Sequence, residues 1–161
     1  MIKKQILDAI SMNSRRSTED LAAMLNTGTD TIEHEIKEME DNKVICGYPT
    51  LINWDRTDCE KVTALIEVKV TPQRDMGFNK VAERIYKFEE VESVYLMSGS
   101  FDLTVIIEGK SMKEVSRFVT EKLSTLEYIT STATYFVLKK YKDHGTIFDQ
   151  KIKDERMLVT P

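Results

Sequence analysis

Residues 17–47 read STEDLAAMLNTGTDTIEHEIKEMEDNKVICG. Leu21, Ala22 and Leu25 recur at helical spacing and stop in a turn around Asn26-Thr27-Gly28. A second helix starts with Thr29 and carries Ile32, Ile36 and Met39 on one face. Two helices joined by so short a turn outline a helix-turn-helix, whose second helix lies in a DNA major groove. Ser17, with Asp20 three residues on, predicts the N-cap and an acidic capping box for the first of the two.

Upstream, residues 3–13 place Ile6, Leu7 and Ile10 on one helical face, and Ser14-Arg15-Arg16 breaks that helix. Downstream, Val44 to Tyr48 and Thr50 to Asn53 flank Pro49 and predict two short strands, a wing. Trp54 to Glu60 is polar and aperiodic. The reading is therefore a winged helix-turn-helix over residues 1–54 and a linker over 55–61.

The rest of the chain alternates strands and helices. Val62 to Val70 predicts a strand, residues 77–88 a helix, and Val91 to Met97 a strand. Ser98-Gly99-Ser100 predicts a tight turn with glycine supplying an unusual φ, and Phe101 to Glu108 the returning strand. Residues 111–125 predict a helix with Met112, Val115, Phe118, Val119 and Leu123 inward, and Ile129 to Leu138 a last strand. The order β-α-β-β-α-β over 62–140 is that of a ferredoxin-like sandwich, so the fold class is α+β. Both helices then cover one sheet face. Leu103 to Ile107 is apolar on both strand faces, which calls for a second sheet against the open one; a two-fold dimer is the commonest arrangement. Residues 141–161 are a charged extension in which Ile147-Phe148 and Met157-Leu158-Val159 are able to dock.

The net charge of −4 is uneven. Residues 1–60 hold 7 Lys/Arg against 12 Asp/Glu, and residues 61–161 hold 16 against 15. The helix expected to meet DNA is thus in the acidic half, which argues against strong non-specific binding, because phosphate contacts need cations. The chain has no run of 18 apolar residues and no signal-peptide pattern, so the reading is a cytoplasmic protein without a membrane partner. Cys46 and Cys59 match no metal or redox spacing and are expected as small, at least half-buried thiols. His34 and His144 fall in different predicted domains, and no hydrolase, P-loop or metalloprotease pattern occurs. The reading is not an enzyme, with neither metal nor cofactor.

Several polar residues have two readings. His34 points away from the face set by Ile32, Ile36 and Met39; it is either solvated or a base-edge contact, with Thr31 and Lys37 beside it. Arg15, Arg16, Ser17, Thr29 and Lys43 are either solvated or phosphate contacts, the N-termini at Ser17 and Thr29 adding backbone N–H donors. The turn Ser98 to Asp102 is either a plain hairpin or a grip for a small zwitterion. Thr130, Thr132 and Thr134 alternate onto one strand face, with Ser131 on the other.

With these elements in order, the chain resembles the Lrp/AsnC family of amino-acid-responsive transcription regulators over about residues 2–140. The residues that carry the likeness are Leu21-Ala22 through Leu25, the run IKEMEDNKVICGY at 36–48, the GSFD turn at 99–102 and the ITSTATYFVL strand. The resemblance implies double-stranded DNA as partner, dimers formed through the second domain and their assembly into octamers. It implies an amino-acid effector near Gly99, Ser100, Phe101 and Asp102, with Thr132 and Thr134 as neighbours. It also implies basic residues where this chain has His34, Glu35 and Glu38, and an end near residue 140. The rival readings are a small-molecule sensor whose acidic helix contacts a protein, and a module of an enzyme on the same fold.

Overall fold

The apolar positions of residues 2–45 close into one core in the computed structural model, which describes residues 1–71 and 77–149. Helix α1 spans Ile2–Met12, α2 Thr18–Leu25 and α3 Thr29–Asp41. Ile6, Leu21, Ile32 and Met39 are buried where they meet, and Ile36 is half-buried. Each fully buried aliphatic side chain contributes about 1.5–3 kcal/mol, so this small core rests on few residues. The chain divides into two compact units, Met1–Leu51 and Ile52–Pro161.

Local polar motifs set the ends of these helices. The Ser17 hydroxyl accepts from the Asp20 N–H at 3.1 Å, and the Asp20 carboxylate accepts from the Ser17 N–H at 3.4 Å, completing the capping box. Helix α2 ends at Asn26 in the left-handed region (φ 51°), where the Thr27 N–H reaches back to the Ala22 carbonyl. Helix α3 ends the same way at Lys43 (φ 57°): the Lys43 N–H bonds Glu40 and the Val44 N–H bonds Met39. This is a Schellman motif with lysine where glycine is preferred.

The wing does not form. Residues 44–53 contain no strand, and the helix cap takes the Val44 and Ile45 N–H groups, both bonded to Met39. Pro49 offers no donor, and Val44, Tyr48, Leu51 and Ile52 are exposed, so a two-stranded ribbon here would have neither a full ladder nor a face to bury. Cys46 and Cys59 are also exposed rather than packed, because both lie in irregular segments outside the cores.

The second unit opens on a 3₁₀ turn, Trp54–Arg56, and then builds a four-stranded sheet. Its strands are β1 Val62–Val70, β2 Val91–Leu96, β3 Leu103–Gly109 and β4 Ile129–Phe136, in spatial order β2-β3-β1-β4 and antiparallel throughout. Helices α4 (Phe78–Tyr86) and α5 (Met112–Phe118) pack on it, α5 continuing as a π turn over Val119–Leu123. This is the expected ferredoxin-like order. Alternation decides the core: Ala64, Ile66 and Val68 of β1 and Leu103, Val105 and Ile107 of β3 are essentially inaccessible beneath Val81, Ile85, Val115 and Leu123. Phe88 and Phe118 meet edge to face at 5.5 Å. Met112, expected inward, is exposed at the first turn of α5.

Residues Leu65 and Ile106 pair across β1 and β3 on the other sheet face, with Tyr135 opposite Leu65 and Tyr95 opposite Thr104. Among the described residues no helix covers this face; Leu65 and Ile106 are half-buried and both tyrosines exposed. Beyond β4 the chain makes a small ribbon, β5 Lys142–Asp143 with β6 Thr146–Ile147. Phe148 is half-buried, and its carbonyl accepts from the Asn53 side chain. Met157-Leu158-Val159 lie outside the described residues.

Candidate functional site

On α3, the apolar face formed by Ile32, Ile36 and Met39 turns Asp30, His34 and Lys37 to the opposite side, with Thr31 at its flank. Thr31, His34 and Lys37 are all exposed. The acidic residues divide into two sets. Lys3 of α1 places its ammonium 2.6 Å from Glu38 and 3.6 Å from Glu35. Its hydrogen bond holds the Glu38 carboxyl below the ordinary carboxylate value, and Glu38 raises Lys3 in return. The Tyr48 hydroxyl donates to Glu40 at 2.8 Å; burial, then the Glu40 carboxylate, pushes its phenol above its usual value. Three of the six carboxylates of α3, Glu35, Glu38 and Glu40, are therefore engaged by residues outside the helix. Asp30, Glu33 and Asp41 remain exposed.

The other expected DNA contacts occupy distinct settings. Arg15 is exposed just before α2. Arg16 is half-buried: its guanidinium donates to the Met24 sulfur at 2.9 Å, and its Nε is buried without a partner. The Ser17 oxygen is engaged in the capping box, which leaves its O–H free to donate. Gly28, not Thr29, is the N-cap of α3; Thr29 is its first helical residue, and no side chain caps the opening turn. Lys43 is exposed at the left-handed cap.

In the second unit, strand β3 begins at Leu103, so Phe101 and Asp102 belong to the turn. Asp102 fastens that turn to β1. Its carboxylate accepts from the Val70 N–H at 2.8 Å, its N–H donates to Val68, and its carbonyl accepts from Met97. The connection is therefore longer than the expected Ser98-Gly99-Ser100 turn, running from Met97 to Asp102. Gly99 and Ser100 are fully on the surface. Gly99 does not use a left-handed φ, and a Cβ added there would touch nothing within 4 Å. Leu96 and Met97, which sequence reasoning did not single out, flank the turn as exposed apolar residues. Their signal was a strand end with no polar residue before Ser98.

Thr132 and Thr134 pair with the buried Val68 and Ile66 and so lie on the helix-covered face, where Thr132 meets the Ser124 hydroxyl at 3.4 Å. Strand β1 separates β4 from β3, so these threonines are not brought to the 99–102 turn. Thr130 does not share their face: the ladder steps from Lys69–Ser131 to Val70–Ile129, leaving Thr130 in a bulge with its hydroxyl on the Lys69 carbonyl.

One further hollow, about 40 Å³, lies among Asn53, Trp54, Lys61, Thr63, Lys140 and Phe148. The Lys61 ammonium sits 4.3 Å from the centre of the Trp54 ring and 2.6 Å from Glu108. Burial pushes the Glu108 carboxyl up, but Lys61, Lys140 and Thr63 outweigh it and hold it below the ordinary value. Among the described residues no cluster of His, Cys, Asp or Glu is arranged to hold a metal, and no helix is long and apolar enough to cross a membrane.

Residues 63–147 match the family described as the Lrp/AsnC ligand binding domain. The HTH-type transcriptional regulator YugG of Bacillus subtilis is 49% identical over 158 residues, 98% of this chain and 95% of its own length. A proline dehydrogenase transcriptional activator of Rhizobium radiobacter is 24% identical over 88% of this chain and 90% of its own length. A Neisseria meningitidis transcriptional regulator solved with L-methionine shares the fold at 20% identity and a TM-score of 0.70, covering 94% of this chain and 96% of its own.

Proposed function

This chain belongs to the Lrp/AsnC family of transcriptional regulators, a family of regulators and not of enzymes, and from that premise we propose that it reads promoter DNA through α3 under the control of an amino acid. Thr31, His34 and Lys37 meet base edges; Arg15, Arg16, Ser17, Thr29 and Lys43 hold phosphates. The observation that carries this reading is the division of charge on α3, with Glu35, Glu38 and Glu40 engaged by Lys3 and Tyr48. The protein works in the cytoplasm as a homo-oligomer. Its dimer forms through the open sheet face around Leu65, Ile106, Tyr95 and Tyr135, and dimers assemble further toward octamers.

The effector binds beside Gly99 to Asp102. Neither φ nor packing within the chain requires a glycine at 99, which supports a role in admitting another molecule to that surface. The relative solved with L-methionine supports an amino acid as the class of ligand. Thr132 and Thr134 contribute from the covered face only through the ordering of β4. Effector binding favours one assembly over another and so alters DNA affinity, a coupling on the order of 1–3 kcal/mol.

The test is fluorescence anisotropy on the DNA upstream of the protein's own gene, against random DNA, with salt titrated and with or without pooled amino acids. Selective binding that the pool alters is the expected result. The exposure of Asp30, Glu33 and Asp41 favours a second reading, a sensor whose α3 contacts a basic protein surface. That reading predicts no selectivity at any salt concentration.

A further inference from the structure

We propose that Lys3 is a positioning residue for DNA binding: by pairing with Glu35 and Glu38 it cancels two negative charges on the flank of α3. The inference rests on the reading that α3 meets DNA. Lys3 lies in the first turn of α1, far from α3 in sequence, yet its ammonium is 2.6 Å from Glu38 and 3.6 Å from Glu35. Glu35 has only 19% of its side chain exposed, and its Oε2 has no hydrogen bond. The Lys3 charge is therefore its compensation.

Positions on the helix give the pairing its consequence. Glu35 follows Thr31 by four residues and Glu38 follows His34 by four, so each carboxylate neighbours a residue that faces the groove. Without Lys3 both would stand within reach of the phosphate field and repel it. The Lys3 side chain is itself 45% exposed, so Lys3→Ala removes a charge with little loss of packing.

The experiment compares wild type, K3A, E35Q/E38Q and K3A/E35Q/E38Q by anisotropy on the upstream duplex, with a salt series and thermal melts. K3A is expected to weaken binding about tenfold, the triple variant to return to within about twofold of wild type, and K3R to keep affinity. If Lys3 instead touches phosphate, the triple variant stays as weak as K3A and its salt slope falls by about one, which overturns the proposal. Should K3A fail to fold, E35Q/E38Q and the triple variant decide: equal affinity supports compensation, and a tenfold gap overturns it. Wild-type protein without selective binding overturns the α3 reading and this inference together. Selective wild-type binding that K3A leaves unchanged overturns this inference alone.

Discussion

The two units hold themselves together by different means. In Met1–Leu51 three short helices share a small core, and their ends are set by contacts within a few residues: the Ser17–Asp20 box, the Asn26 cap and the Lys43 cap. In Ile52–Pro161 strands distant in sequence pair side by side, and the core is a continuous layer between sheet and helices. The difference bears on function. The helical unit packs its periodic apolar positions into one core and presents a charged helix outward. Among the described residues the sheet unit covers one of its faces with helices, and on the other Leu65 and Ile106 stay half-buried and two tyrosines exposed.

The most damaging test of that contrast is Ile66→Ala. Ile66 is wholly buried at the centre of β1, and truncation there should cost about 2–5 kcal/mol in urea denaturation. A loss under about 1 kcal/mol would mean that the sheet core is not what stabilises this unit. Asp102→Ala comes next. It removes a charged acceptor from the half-buried Val70 N–H, and a loss of about 1.5–3 kcal/mol is expected, with altered effector response from a loosened turn. Gly99→Ala should leave stability within about 0.5 kcal/mol while changing effector response or oligomer size in light scattering.

Smaller effects belong to the helical unit. Lys43→Gly relieves a left-handed lysine and should raise its stability by about 1 kcal/mol, whereas Ser17→Ala should lower it by about 1 kcal/mol. Opposite signs in either thermal melt would break the claim that caps govern this unit. The smallest effect is a pH dependence in the sheet unit. Glu108 titrates below its unfolded value, so its contribution is complete above the ordinary carboxylate value and is lost as pH falls through the lowered one. Glu108→Gln should flatten that acid limb of the stability curve; an unchanged limb would remove Glu108 from the account.

Helix limits in the first unit are readable almost to the residue because caps and apolar periodicity are local: an N-cap at Ser17 and a stop at Asn26 bound a helix over 18–25, and Thr18–Leu25 is found. The limits of β1 are equally readable: Val62 to Val70 is the expected strand and the one found. The wing fails to form because apolar, β-prone residues around Pro49 satisfy a local pattern without a partner strand. Phe101 and Asp102 were assigned to a strand because nothing local reveals that the Val70 N–H would take the carboxylate from 32 positions away.

The amino-acid sequence by itself determined the helix-turn-helix and the β-α-β-β-α-β order that follows it, since each rests on residues close along the chain. Tertiary structure alone decided which charges on α3 face outward, how the 99–102 turn is fastened and which face Thr132 and Thr134 occupy. Those depend on Lys3 meeting Glu38 and on β1 lying between β3 and β4, pairings made across long stretches of chain that no local pattern records.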